Sequence, residues 1–276
     1  YFENGVWNMV FAGVNVDTIP TGGWPYEPYT KEETVPKIQE KPYLVYDEDN
    51  GYGVMVPEKR TECQGISWEN GVKGTFYSLN MFYVADAQKD NADTINKALK
   101  EGKNLLLTPG IYTLDKPITV EEKDTIIYGM GLATLVSTNG NACMVTSDAD
   151  GIKVCGVLFE AGDKQSETLL KVGNEKAEVS HSDNPICFSD VYFRVGGANY
   201  KGKVKNCVTI NSNDVIGDNF WVWRADHGDN VGWDMNTAPN GIVINGDNVT
   251  MYGLFVEHFQ EYQTIWNGNG GKLYFY

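Results

Sequence analysis

Four strand-like segments recur along the second half of the chain, and nothing helical separates them. They span residues 152–160, 186–194, 215–223 and 249–257. In each, apolar residues alternate, a small or polar residue follows, and a second apolar stretch closes the segment. Aligning that small or polar residue matches Gly156, Asp190, Asn219 and Gly253, at spacings of 34, 29 and 34. Such lengths suit a coil of about two dozen residues plus a variable loop, which cannot bury its apolar face alone. Stacking solves this, because each unit covers the open edge of the last. The pattern predicts an all-β fold, a right-handed single-stranded parallel β-helix, over residues 81–276. A doubly wound α/β fold would put a helix between strands. A β-sandwich stays open as the alternative, because Asn139-Gly140, Asn240-Gly241 and Asn245-Gly246 suit hairpin turns.

One helix is expected, over Asp90 to Lys100. Acidic and capping residues lead it, Ile95, Ala98 and Leu99 have helical spacing, and Gly102 stops it. Upstream, six of the ten prolines (Pro20, Pro25, Pro28, Pro36, Pro42 and Pro57) fall in residues 17–80. That density reads as an irregular linker with short edge strands. Residues 1–16 read as the end of a preceding strand array. The chain opens in the strand-like run Gly5 to Phe11 and closes on Lys272 to Tyr276. It therefore reads as part of a longer protein, whose remainder is its first partner.

The net charge of −15 repels phosphate backbones and anionic membranes. Nucleic acid is not an expected partner. No apolar run reaches the ~20 residues of a membrane span, so no membrane insertion is expected. The five cysteines are odd in number and form no CxxC pair, which leaves zinc and thioredoxin chemistry unsupported. Cys143, Cys155, Cys187 and Cys207 lie in or beside apolar runs and read as small buried residues. A local Cys143–Cys155 bridge stays open. Gly129-Met130-Gly131 has Thr134 where a dinucleotide loop needs its third glycine, and reads as a tight turn.

Chemistry concentrates in residues 214–269, which hold Trp221, Trp223, Trp233 and Trp266, two of the three histidines (His227 and His258), and eight carboxylates. Sugar clefts need this mixture: aromatic faces pack on pyranose rings, and charged groups bind hydroxyls. Glycoside hydrolysis needs two carboxyl groups, about 5–9.5 Å apart according to stereochemistry. Neighbouring coils, about 4.8 Å apart, supply such spacings. Asp234 and Glu257, 23 residues apart, are separated by about one coil. Glu257 follows Leu254-Phe255-Val256, and a carboxyl beside apolar surface suits a general acid. Glu160 holds the matching repeat position, which equally suits a solvated face. The polar run Arg224-Ala225-Asp226-His227-Gly228-Asp229 breaks the alternation after Trp223 and suits either a site loop or a loop braced by an Arg–Asp pair. The candidate catalytic residues are Glu257, Asp226, Asp229 and Asp234. The candidate substrate-binding residues are Trp223, Arg224, His227, Trp233, His258 and Trp266. No metal site is expected, and calcium is the one ion left open.

The stretch from Ala85 to Val120 combines an Asp-rich lead, the short helix, Gly102-Lys103, a Leu strand and Pro109-Gly110-Ile111-Tyr112. It resembles the start of pectate-lyase-like β-helices. The whole chain is similar to family 55 glycoside hydrolases, which carry two β-helices and act on β-1,3-glucans. The runs 213–218 and 224–228 are similar to motifs of an uncharacterised bacterial branch of that group. The resemblance implies that 1–16 ends a first β-helix, 17–80 connects, and 81–276 is most of a second. It implies a secreted or cell-surface glycoside hydrolase whose partner is a polysaccharide, a glucan first. A uronate lyase is the rival; it would need basic residues, and Arg224 is the only one in the candidate region before Lys272. A non-catalytic glycan-binding solenoid is the third reading.

Overall fold

The computed structural model describes residues 9–15, 29–68, 71–175, 177 and 179–276. Most of the expected 1–16 array lies outside the described residues, as do residues 17–28 of the linker.

From residue 82 onward, chain passes alternate between two parallel sheets. One is nine-stranded and runs through Phe82–Ala85, Asn104–Leu107, Ile126–Ser137, Lys153–Glu160, Cys187–Val195, Ile216–Arg224, Thr250–Glu257 and Lys272–Tyr274, with Ile111–Leu114 beside the second half of Ile126–Ser137. The other is six-stranded: Ile118–Val120, Met144–Thr146, Ser166–Val172, Val204–Ile210, Asn240–Ile244 and Tyr262–Trp266. Every pairing within these two sheets is parallel. This removes the sandwich alternative. Asn245-Gly246 turns the chain from one sheet to the other, and Asn240-Gly241 opens a strand. The core fills the space between the sheets, with Phe159, Phe193 and Phe220 in successive coils.

The repeat residue has a mechanical role. Gly156, Asp190, Asn219 and Gly253 all adopt positive φ, between 51° and 69°. The register on either side stacks them in one column, for Cys155 faces Ser189 and Val157 faces Val191, and so on up the stack. A left-handed residue breaks the two-residue alternation of a strand. Asp218 and Phe220 are two apart, yet Asp218 lies on the outside and Phe220 in the core. Each of the four strands that carry these residues is thus two limbs meeting at a corner. Gly156 is obligatory there, because a Cβ would stand 2.4 Å from the Gly129 carbonyl oxygen.

The helix Ala92–Lys100 closes one end of the stack, with Ala92, Ile95, Ala98 and Leu99 buried. Asn91 and Thr94 form its capping box. Asn96 serves as a surrogate strand: its amide donates to Pro117 O at 2.9 Å and accepts from Thr119 N at 2.8 Å. The outer edge of Ile118–Val120 is thereby satisfied.

Tyr29–Glu32 pairs in parallel with Met9–Ala12, and the strands from Val35–Ile38 to Gly74–Ser78 form two small antiparallel sheets, one of them Tyr43–Asp47, Gly51–Pro57 and Gly74–Ser78. They lie against the outside of the first limb. Val54 and Val56 pack on Phe82, Leu106 and Ile126. Lys41 pairs with Asp190, Lys37 with Asp214, and Tyr252 OH donates to Lys37 O. The first limb is therefore covered, and the second limb keeps its outer face open.

Candidate active site

Beyond the corner, side chains alternate again. The inward positions carry Val191, Phe193, Phe220, Val222, Leu254 and Val256. The outward ones form two columns: Leu158, Tyr192, Trp221 and Phe255, then Glu160, Arg194, Trp223 and Glu257. Trp221 and Phe255 are each 44% exposed, a large apolar area facing solvent. The Trp221 indole donates to Glu257 Oε2 at 3.0 Å and stacks on Trp223 with centroids 5.4 Å apart. The Glu257 carboxyl is thus held against an aromatic wall. Three coils back, Glu160 is gripped by Arg194 of the next coil through two hydrogen bonds, so the matching carboxyl is already committed.

The chain leaves the sheet at Arg224 and makes a 225–239 loop over this face. Asp226 accepts from His227 Nδ1 at 2.7 Å and lies 3.5 Å from His258 Nε2. The His227 hydrogen bond holds the Asp226 carboxyl below its ordinary range. The His227 ring sits 5.1 Å from Trp223. Trp221, Trp223, Asp226, His227, Glu257 and His258 therefore form one contiguous group, drawn from two adjacent coils. His258 has φ of 67°, an uncommon backbone state for a residue with a side chain.

The remaining candidates fall elsewhere. Arg224 is not a free donor: it is buried and bonded to the carbonyls of Gly232, Trp233, Asn236 and His258. The loop is braced by this arginine, but through carbonyls, with no Arg–Asp pair. Asp229 is anchored by its backbone to Gly197, on the coil before, away from Glu257. Asp234 is exposed on the loop beside Trp233, whose ring lies over the Arg224 guanidinium at 5.4 Å. Trp266 is not brought to the group. It packs on the core and ends a strand of the six-stranded sheet, at the corner opposite Glu257.

Residues 82–276, which hold the nine- and six-stranded parallel sheets, match a known family model, the LAM55 pectate lyase-like domain. The chain belongs to the LAM55 pectate lyase-like family. It is 47% identical over 274 residues to an exo-β-1,3-glucanase of Streptomyces sp. (strain SirexAA-E / ActE). That match takes in 99% of this chain and 44% of the glucanase, so the chain spans under half of its relative's length. Two solved structures of sacteLam55A from Streptomyces sp. SirexAA-E superpose with a TM-score of 0.93 at 46% identity, over 98% of this chain and 48% of theirs. One of them is a variant in complex with glucose.

In this LAM55 chain Trp221 belongs to the group although it is not among the candidates named from the sequence. Its signal was present: it stands two residues before Trp223, as Phe255 does before Glu257, so each pair shares a face. Asp218 was also missed. Burial beneath the small sheets of the linker, then the nearby Asp190 and Glu40 charges, push its carboxyl up to about 6. No local pattern announces that, because the burying segment comes from far away in sequence. The third histidine, His181, is buried with Nδ1 on Asp150 at 2.7 Å and Nε2 on Asp148 at 2.9 Å. Burial alone would lower its pKa, but these two carboxylates raise it. It fastens a turn through these two hydrogen bonds. Among the described residues no group of three or more His, Cys, Asp or Glu is arranged to hold a metal ion. All five cysteines are free, Cys143 and Cys155 included. No helix among the described residues is long and apolar enough to cross a membrane.

Proposed function

We propose that this chain is the catalytic half of a secreted or cell-surface glycoside hydrolase that cleaves β-1,3-glucan, and that its coils wind as the second of two right-handed parallel β-helices. The observation that carries the reading is the Glu257 carboxyl, held by Trp221 at the rim of an open aromatic face, in a chain 47% identical to an exo-β-1,3-glucanase. Glucose rings stack on Trp221, Trp223 and Phe255. Glu257 donates its proton to the glycosidic oxygen as the C1–O bond breaks. Water adds to C1 and gives up its proton to a second carboxylate. Asp226 is the described candidate for that base, since its hydrogen bond to His227 keeps it ionised. Asp234 and Asp229 follow it in rank.

A uronate lyase fits less well. It needs cations to neutralise the substrate, and the two guanidinium groups nearest Glu257 are spent on carbonyls and on Glu160. The test takes full-length protein and a panel of glucans, with pectin and alginate as controls. Glucose release from β-1,3-glucan is expected, and Glu257→Gln should cut kcat by about 10²–10⁴ with the fold intact. Retention of more than about a tenth of wild-type turnover would remove Glu257 as general acid. Absorbance of an unsaturated product from the uronate polymers would reverse the choice of chemistry.

A further inference from the structure

Arg224 occupies an inward position of the ladder, one residue past Trp223. In the two preceding coils the same position holds Ala161 and Val195, both fully buried. Those coils turn the corner without an arginine, so the stack itself does not demand one. Burying a guanidinium is costly unless its donors are satisfied. Here Nε reaches Asn236 O at 2.8 Å, one terminal nitrogen reaches His258 O at 3.1 Å, and the other reaches Gly232 O at 3.0 Å and Trp233 O at 3.4 Å. No carboxylate among the described residues forms an ion pair with it. All its hydrogen-bond partners are backbone carbonyls of two separate segments: the loop that carries Asp226, and the residue that follows Glu257.

The second segment matters most. His258 sits at φ 67°, which reverses the chain directly after Glu257 and aims its ring at Asp226. A left-handed residue with a side chain is strained and needs something to hold it. Arg224 takes its carbonyl. Asn236, fully buried, fixes the loop from the other side by donating to Val195 O and Ala225 O, at 2.9 and 2.8 Å. Gln260 adds one further tie, to Trp233 O at 2.7 Å.

We infer that Arg224 is a positioning residue, which sets the placement of Glu257 and His258 relative to Asp226 by clamping both segments to one rigid guanidinium plane. The inference rests on the proposed hydrolase reading and adds to it the group that holds the two carboxyls in register. It makes no contact with substrate.

The test uses full-length Arg224→Lys, with Arg224→Gln as the second variant should either misfold. Lysine keeps the charge but cannot span four carbonyls. The first readout needs no substrate: the Trp221 indole N–H resonance, assigned with Trp221→Phe, reports its hydrogen bond to Glu257. It should move in Arg224→Lys. The second readout is kinetic: on β-1,3-gluco-oligosaccharides kcat should fall about 10²-fold with KM changed far less, and the kcat–pH profile should shift. A folded variant with an unmoved Trp221 resonance and wild-type kcat would overturn the inference, and a lowered Tm alone would reduce Arg224 to a stabiliser. Failure of wild-type protein to cut any β-1,3-glucan would sink the hydrolase reading, while the indole resonance would still decide the clamp.

Discussion

Asp218 shows how one residue carries a pH dependence that its sequence context hides. Its carboxyl lies on the first limb, with Asp190 and Glu40 as its charged neighbours and Lys41 spent on Asp190. The folded pKa, about 6, exceeds the ordinary value of about 3.9 for Asp. The folded protein therefore holds that proton better than the unfolded chain does. The resulting stability is fully present below about pH 4 and is lost as the pH rises through about 6, an effect on the order of 3 kcal/mol. Asp218→Asn should flatten the stability profile between about pH 4 and 7 in urea titrations. An unchanged slope would mean that the carboxyl is solvated in solution. The substitution leaves Glu257 and Asp226 untouched, so catalytic pH dependence should keep its wild-type form.

At the scale of the strand, the corner column separates two kinds of left-handed residue. Gly253 has open space around it, since a Cβ would meet its nearest atom at 3.9 Å. Gly156 is pressed against Gly129. Asparagine tolerates positive φ, as Asn219 already demonstrates in the same column. Gly253→Asn should therefore cost less than about 1 kcal/mol, while Gly156→Asn should cost about 2–3 kcal/mol or more through overpacking. Denaturant midpoints of the two variants check this, and equal costs would show that φ alone governs the column. The spacings of 34, 29 and 34 located this column correctly because a corner must recur once per coil. Its bend was not legible, because period-two patterning records which side chains alternate and not where the alternation is reset.

For the whole molecule, the two faces of one strand have opposite duties. Phe193 stacks between Phe159 and Phe220, at 5.0 and 6.1 Å, and is 1% exposed. Phe255 faces outward and is 44% exposed. Phe193→Ala should lose about 3–5 kcal/mol of stability. Phe255→Ala should lose under about 1 kcal/mol and weaken glucan binding instead. Stability by denaturation and affinity by calorimetry separate the two, and the reverse pattern would place the core on the other face. In a stacked fold each coil leans only on its neighbours, so the Phe193 loss should open the middle coils first in hydrogen exchange.

What the sequence determined by itself was local and periodic: the helix and its capping residues, the parallel all-β class, the corner column, and the aromatic and acidic density near residues 221–258. Each follows from short-range rules, since burial alternates along a strand and a repeat must stack to bury its edge. The tertiary structure decided the rest. Arg224 reads as a sugar-binding donor in the chain but is a clamp in the fold, because its carbonyl partners lie up to 34 residues away. Trp266 shares the region's composition but not its corner. Burial raises the Asp218 carboxyl, whereas burial lowers the His181 pKa and Asp148 and Asp150, 33 and 31 residues away, raise it. Composition can show that such groups exist, but only the register of neighbouring coils decides which of them meet, because contacts between coils join residues about 22–34 apart at spacings that the loops vary freely.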